Sequence, residues 1–227
     1  MLKKTRKITE ECGLTYLNIK SNICLALYQA AHAPIVPSVF LGAALALQKL
    51  FSTYYYSSAI KASQFSMNEA DAAYYDLLNV HCLSSDSLSF YSSGIEVTRM
   101  DKIRYIADID FVQKNLSVCL SPDQNGNNCG KCAKCTRTMA ELEVIDKLVN
   151  FSRVFNIDSF WKNPGYHWGY VLLKSKTDVF CREIICEYKK TGRKLPLQAY
   201  LSRIQKWIER GFTTRNKQRI KVEEIIK

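Results

Sequence analysis

Four of the nine cysteines in this 227-residue chain fall within 17 residues, in the spacing C-x9-C-x2-C-x2-C: Cys119, Cys129, Cys132 and Cys135. A disulfide scaffold is expected in a short secreted chain, whereas close spacing in a chain of this length reads as a metal site. Four thiolates at tetrahedral reach suit Zn2+, which accepts sulfur at about 2.3 Å, and a full four-cysteine shell leaves no position for a catalytic water. The expected role is therefore structural. Gly130 lets the chain turn tightly around the ion, and Lys131, Lys134 and Arg137 offset the excess negative charge of the centre. Two alternatives stay open. C-x2-C-x2-C also opens the bacterial ferredoxin run, although position 139 is Met and no Pro follows it, and the thiols can simply be unligated. Cys181 and Cys186, five residues apart, face different sides of a helix and read as packing or partly exposed thiols.

The chain around this cluster alternates between helix and strand signals. Residues 2–12 read as a short polar helix stopped by Gly13, and Leu14 to Ile19 as a strand by alternation. Pro34 and Pro37 precede an apolar, small-residue helix, Val39 to Leu47, and Phe51 to Ser58 reads as a strand. That order suits a parallel α/β sheet. The nine-residue stretch Val39 to Leu47 is the longest apolar run and about half of what a membrane-spanning helix needs. Glu10 and Glu11 stand where a signal peptide would carry its apolar core, so a cytoplasmic protein is expected.

Ala59 to Ser93 is polar and reads as an excursion at the C-terminal edge of the strands, followed by a helix over residues 96–110 with Met100, Ile103, Ile106 and Ala107 inward. A further helix begins inside the cysteine loop and carries Met139, Leu142, Glu143, Ile145, Asp146, Leu148 and Val149. Val179 to Lys190 reads as a helix stopped by Gly192; Pro196 opens another with Leu197, Leu201, Ile204 and Ile208 on one face; a last short helix runs toward Lys227. Three regions result: residues 1–115 (partial Rossmann-like α/β), 116–150 (zinc loop and helix) and 151–227 (basic helices).

The net charge is +11, and it is uneven: residues 1–150 carry 15 basic and 14 acidic side chains, residues 151–227 carry 17 and 7. The basic tail interleaves the aromatics Phe160, Trp161, Tyr166, Trp168 and Tyr170, and further on Trp207, with basic residues that run from 188 to 221, which suits a nucleic acid, an acidic protein partner or a merely solvated face.

The runs Arg99-Met100-Asp101-Lys102-Ile103, Leu116-Ser117-Val118-Cys119 and Asn128-Cys129-Gly130-Lys131-Cys132-Ala133-Lys134-Cys135-Thr136-Arg137-Thr138-Met139 resemble the C-terminal half of PP-loop ATP pyrophosphatases related to 7-cyano-7-deazaguanine synthase. The resemblance covers roughly residues 30 to 150. It implies an adenine-nucleotide α-hydrolase-like (HUP) fold, a structural zinc on the four cysteines, and a chemistry in which ATP adenylylates an oxygen of a small carboxylate-bearing or purine-like substrate, releasing pyrophosphate before a nitrogen nucleophile attacks. That family holds ATP phosphates with a Ser-Gly-Gly-x-Asp-Ser loop. Here no two of the nine glycines are adjacent, and Ser93-Gly94 is followed by Ile95. The expectation is a C-terminal portion that is not catalytic alone, with ATP binding dependent on a phosphate loop supplied by a partner chain; a non-enzymatic zinc module acting through its basic tail is the alternative.

Within that frame Tyr56, Ser57 and Ser58 end the best strand and would line a crevice, and Arg99 and Lys102, three apart on a helix, would hold an anionic group. Their ordinary readings are strand-end or capping duty and a solvated charged face. His81, near Cys82 and Asp86, assembles no nucleophile–base pair by spacing, and His32 and His167 have no metal-like neighbours.

Overall fold

The structure is a computed structural model and describes residues 2–23, 32–67, 72–119, 121–122 and 126–202. It is mixed α/β, mostly helical, with a small parallel sheet and the cysteine cluster. Chain order runs α1 (Leu2–Glu11), α2 (His32–Leu45), β1 (Thr53–Ser57), α3 (Ala73–Cys82), β2 (Ser89–Ser93), α4 (Arg99–Ile106), α5 (Asp110–Asn115), α6 (Ala133–Val144), α7 (Ile157–Lys162), α8 (Pro164–Lys174) and α9 (Val179–Lys190), with 3-10 turns at Ala62–Gln64 and Leu148–Phe151. Two compact units emerge, residues 9–102 and residues 1–8 with 103–227. Charge divides along them: 5 basic and 8 acidic side chains in the first, 27 and 13 in the second.

In the first unit β1 and β2 pair in parallel, Thr53 opposite Ser89 through Ser57 opposite Ser93, with α3 in the connection between them. Strand alternation sends Tyr54, Tyr56 and Phe90 to one face, where they meet Leu41, Ala44 and Leu45 of α2, Val80 of α3, and Leu83 and Leu88. Tyr54 and Phe90 meet edge to face with ring centres 5.7 Å apart. The opposite face carries Tyr55 and Tyr91, 70% and 53% exposed, with their rings also 5.7 Å apart.

The strand expected over Phe51 to Ser58 forms, trimmed at its ends. Leu14 to Ile19 does not become a strand; the segment lies outside any ladder, and Leu14, Leu17 and Ile19 are 62%, 54% and 48% exposed. Alternation prepares a chain for pairing, but the ladder needs a partner edge. The supposed excursion at Ala59 to Ser93 contains α3 and β2. Ala73, Tyr74 and Val80 bury one face of α3, and β2 is Ser-Phe-Tyr-Ser-Ser, whose hydroxyls mask a strand built around one buried Phe90.

The second unit is built around α6, which packs against α7, α8, α9 and the Leu148–Phe151 turn. Met139, Leu142 and Val144 of α6 are buried, as are Phe151, Phe160, Trp168, Val171, Phe180 and Ile184. Phe160 stacks on His167 at 4.8 Å, and Trp168 meets Tyr188 at 4.7 Å. The helix expected to run on through Leu148 stops at Val144. Asp146 adopts φ 57°, its N–H donates to Glu143 O, and Lys147 N–H reaches back to Leu142 O, a Schellman closure made without glycine. Arg193 secures that end, donating to Glu143 O, Val144 O and Asp146 Oδ1. α9 forms over the expected Val179 to Lys190: Asp178 Oδ1 accepts from Phe180 N and Cys181 N at its start, and Gly192 at φ 72° follows its end. Cys181 is fully buried and Cys186 exposed, on different sides as expected. Residues 197–202 are helical after Pro196, and the rest of that helix and the last one lie outside the described residues. No helix among the described residues is long and apolar enough to cross a membrane.

Candidate metal centre

Cys119, Cys129, Cys132 and Cys135 converge, all four Sγ atoms lying within 4.8 Å of one another. Cys119 and Cys132 are 3.9 Å apart at sulfur, and Cys129 and Cys135 4.0 Å. A tetrahedron with metal–sulfur bonds of about 2.3 Å has edges of about 3.8 Å, so the four cysteines fit a single ion.

Local structure explains the convergence. Cys132 caps α6, its sulfur accepting from Cys135 N–H, which places Cys135 in the first helical turn. Gly130, at φ 70°, turns the chain back between Cys129 and Cys132. Backbone N–H groups point at the sulfurs: Ser121 and Cys129 donate to Cys119 at 3.3 Å, and Lys131 and Cys132 donate to Cys129 at 3.5 and 3.3 Å. Such donors favour thiolates over thiols, as metal ligation requires.

Burial acts the other way. Desolvation pushes the Cys119 and Cys135 thiols up, so without an ion the loop holds neutral thiols at these positions. At Cys129 desolvation is outweighed by the N–H groups of Lys131 and Cys132, and its thiol lies below the ordinary value.

Cys119 arrives from a separate segment, and Asn128 sets its position. The Asn128 side chain accepts from Val118 N (2.9 Å) and Cys119 N (3.2 Å), and donates to Leu116 O (2.9 Å) and Val154 O (3.0 Å). It joins the extended approach to Cys119, the turn at Cys129 and the chain after α6. Tyr166 donates its hydroxyl to Lys131 O at 2.9 Å, tying α8 to the turn. Neither supporting role is legible in the sequence, where an Asn next to a cysteine and a Tyr in an aromatic stretch carry no distinguishing pattern.

Of the residues expected to offset the centre's charge, Lys131 and Lys134 are exposed. Arg137 donates to Asp178 Oδ2 at 3.2 Å and lies over the Phe180 ring at 4.4 Å, so it also fastens α6 to the start of α9. His167 is buried with Nδ1 3.2 Å from Thr136 Oγ1, a packing role.

The other expected site residues lie in the unit of residues 9–102. Lys102 and Ser58 come together, Lys102 Nζ donating to Ser58 O at 2.6 Å, while Ser58 Oγ donates to Ile60 O. Gly94, at φ 76°, lets Lys102 pass: an added Cβ would meet its Cε at 3.1 Å. Tyr56 points into the packed face instead, donating to the buried Asp76 at 3.0 Å; burial, then Asp76, hold its hydroxyl far above the ordinary tyrosine range. Ser57 is exposed, and Arg99 is half-buried in the first turn of α4. His81, Cys82 and Asp86 are exposed. A cavity of about 640 Å3 in the same unit is walled mainly by Leu17, Ile19, Val39, Phe40, Phe51 and Tyr54, and its described lining holds no charged side chain.

Within the described part of the basic tail, Lys190 pairs with Glu187, Arg193 is committed to α6, and Lys189 and Lys194 are exposed; residues 203–221 lie outside the described residues. Comparison with protein-family models, with curated proteins and with solved structures finds no match to the chain.

Proposed function

We propose that the four cysteines hold one structural Zn2+ and that the chain is the zinc-stabilised part of a PP-loop ATP-dependent ligase-like protein, not catalytic alone. The observation that carries the second half is the β1–β2 pair. Parallel sheets normally hold more strands and have both faces covered, whereas this one, among the described residues, has two strands and leaves Tyr55 and Tyr91 exposed. A sheet completed by further α/β structure would bind its ligand at the C-terminal strand ends, where Ser57, Ser58, Gly94 and Lys102 lie. A closed shell of four cysteines supplies no open position for chemistry, so the ion's part is to hold the loop and α6 together. A reducing compartment such as the cytoplasm suits four metal-binding thiolates.

Pyrophosphate release from ATP tests the reading. The purified chain should release none, and adding a Ser-Gly-Gly-x-Asp-Ser-bearing protein encoded beside it should produce release that Lys102→Ala weakens. No release from the mixture overturns it.

A second reading rests on the 27 basic against 13 acidic side chains of residues 1–8 and 103–227: this unit binds nucleic acid as a zinc module. Affinity for single-stranded RNA should then fall steeply with salt; absence of binding, or preference for an acidic protein, removes it.

A further inference from the structure

We propose that Cys129 is the entry point for oxidants into the four-cysteine centre, attacked ahead of the other three ligands and then closing a disulfide on a neighbouring ligand with loss of the ion. The inference rests on the metal reading above and adds an order of reactivity to it.

The four ligands are graded in exposure. Cys135 is 0% and Cys119 6% exposed, Cys132 is half-buried, and Cys129 is exposed. Cys135 lies in the first turn of α6, whereas Cys129 lies in the turn ahead of it, two residues before the exposed Lys131. Reaction of a thiolate with a peroxide requires in-line approach at sulfur, so access ranks ligands that share one ion.

The second step needs a neighbouring thiolate, and all four sulfurs lie within 4.8 Å of one another, so the other ligands are in reach of Cys129. Hydrogen peroxide transfers one oxygen to the Cys129 thiolate, giving the sulfenic acid and hydroxide. A second ligand thiolate then attacks that sulfur, forming the S–S bond and releasing a second hydroxide. Two thiolates lose one electron each and one peroxide takes up two. Two thiolates remain, too few for a closed sulfur shell, so the ion is released. A dithiol reductant together with Zn2+ reverses the change.

The test uses the full chain with Cys12, Cys24, Cys82 and Cys186 replaced by Ser, so that only the ligands and buried Cys181 respond. Metal content is measured first. Stoichiometric hydrogen peroxide is then added, ion release is followed with a chromogenic indicator, and cysteines are mapped by mass spectrometry after rapid alkylation. Cys129 should be modified about tenfold faster than Cys119 or Cys135; the first disulfide should include Cys129, with ion release keeping pace and dithiothreitol plus Zn2+ restoring the start. Cys129→His, which keeps a ligand atom but removes the exposed sulfur, should retain the ion and slow its release about tenfold. Equal rates at the four ligands, a first disulfide that leaves Cys129 out, or unchanged release from Cys129→His overturns the proposal while the metal reading stands. Protein purified under reducing conditions without metal, and unable to take it up, overturns both.

Discussion

Replacing Asn128 by Ala removes four hydrogen bonds at once without touching a cysteine. The lost contacts leave the N–H groups of Val118 and Cys119 and the carbonyls of Leu116 and Val154 without this partner, in a half-buried setting. Each neutral hydrogen bond contributes about 1 kcal/mol net, and water partly replaces those at a half-buried site, so the total is about 2–4 kcal/mol. For a chain of this size that is a drop in Tm of roughly 10 °C. The same change frees the segment that delivers Cys119, so metal affinity should fall about 10–100-fold, the usual effect of losing a group that orients a ligand. Asn128→Asp separates the two halves of the contact: it still accepts from Val118 and Cys119 but faces Leu116 O and Val154 O with an oxygen, so it should rescue little. Thermal unfolding by circular dichroism, with metal affinity from chelator competition, reads both quantities. A Tm within about 1 °C of the parent, or reduced stability with unaltered metal affinity, would refute the view that Asn128 positions Cys119.

Metal removal should have the largest effect of any single perturbation. A chelator should lower helicity and stability of the unit containing α6, by up to about 10 kcal/mol for a centre of this type, and native protein should hold close to one zinc per chain; full helicity after chelation excludes a structural role. Arg193→Ala should cost about 1–3 kcal/mol in denaturant unfolding because it strips the α6 C-terminus of two carbonyl partners, and Arg193→Lys should recover less than half, a single ammonium being unable to span Glu143 O, Val144 O and Asp146. Tyr56→Phe should cost about 1–2 kcal/mol at neutral pH by leaving buried Asp76 without this donor. Its pH dependence has a definite sign: Tyr56 ionises far higher folded than unfolded, so above the ordinary tyrosine value of 10.0 the unfolded state holds fewer protons and stability falls as pH rises. The Phe variant should lose stability less steeply over that alkaline range, and an equal slope would contradict the assignment.

The parts of this protein written into local spacing were legible. The cysteine spacing marks the ligand set because C-x2-C turns and a helix start bring sulfurs together within a few residues. Asp178 and Gly192 bracket α9 as its cap and stop, and the aromatic run before Ser58 marks β1. The misses share a different origin. Leu14 to Ile19 has the alternation of a strand and no ladder; β2 has one buried Phe90 among serines and tyrosine and pairs along its length. The end of α6 was missed because Asp146 takes the left-handed conformation that glycine usually supplies.

By itself, then, the sequence determined which side chains can ligate a metal, where two of the C-terminal helical boundaries lie, and that basic charge is concentrated toward one end of the chain. Tertiary structure alone decided that Asn128 holds Cys119 in place, that Arg193 closes the end of α6, and that Tyr56 turns inward to Asp76 while Lys102 turns to the end of β1. The reason is separation along the chain. A turn or cap depends on residues within about four positions, whereas each of these contacts joins segments whose proximity is paid for by the packing of a whole unit.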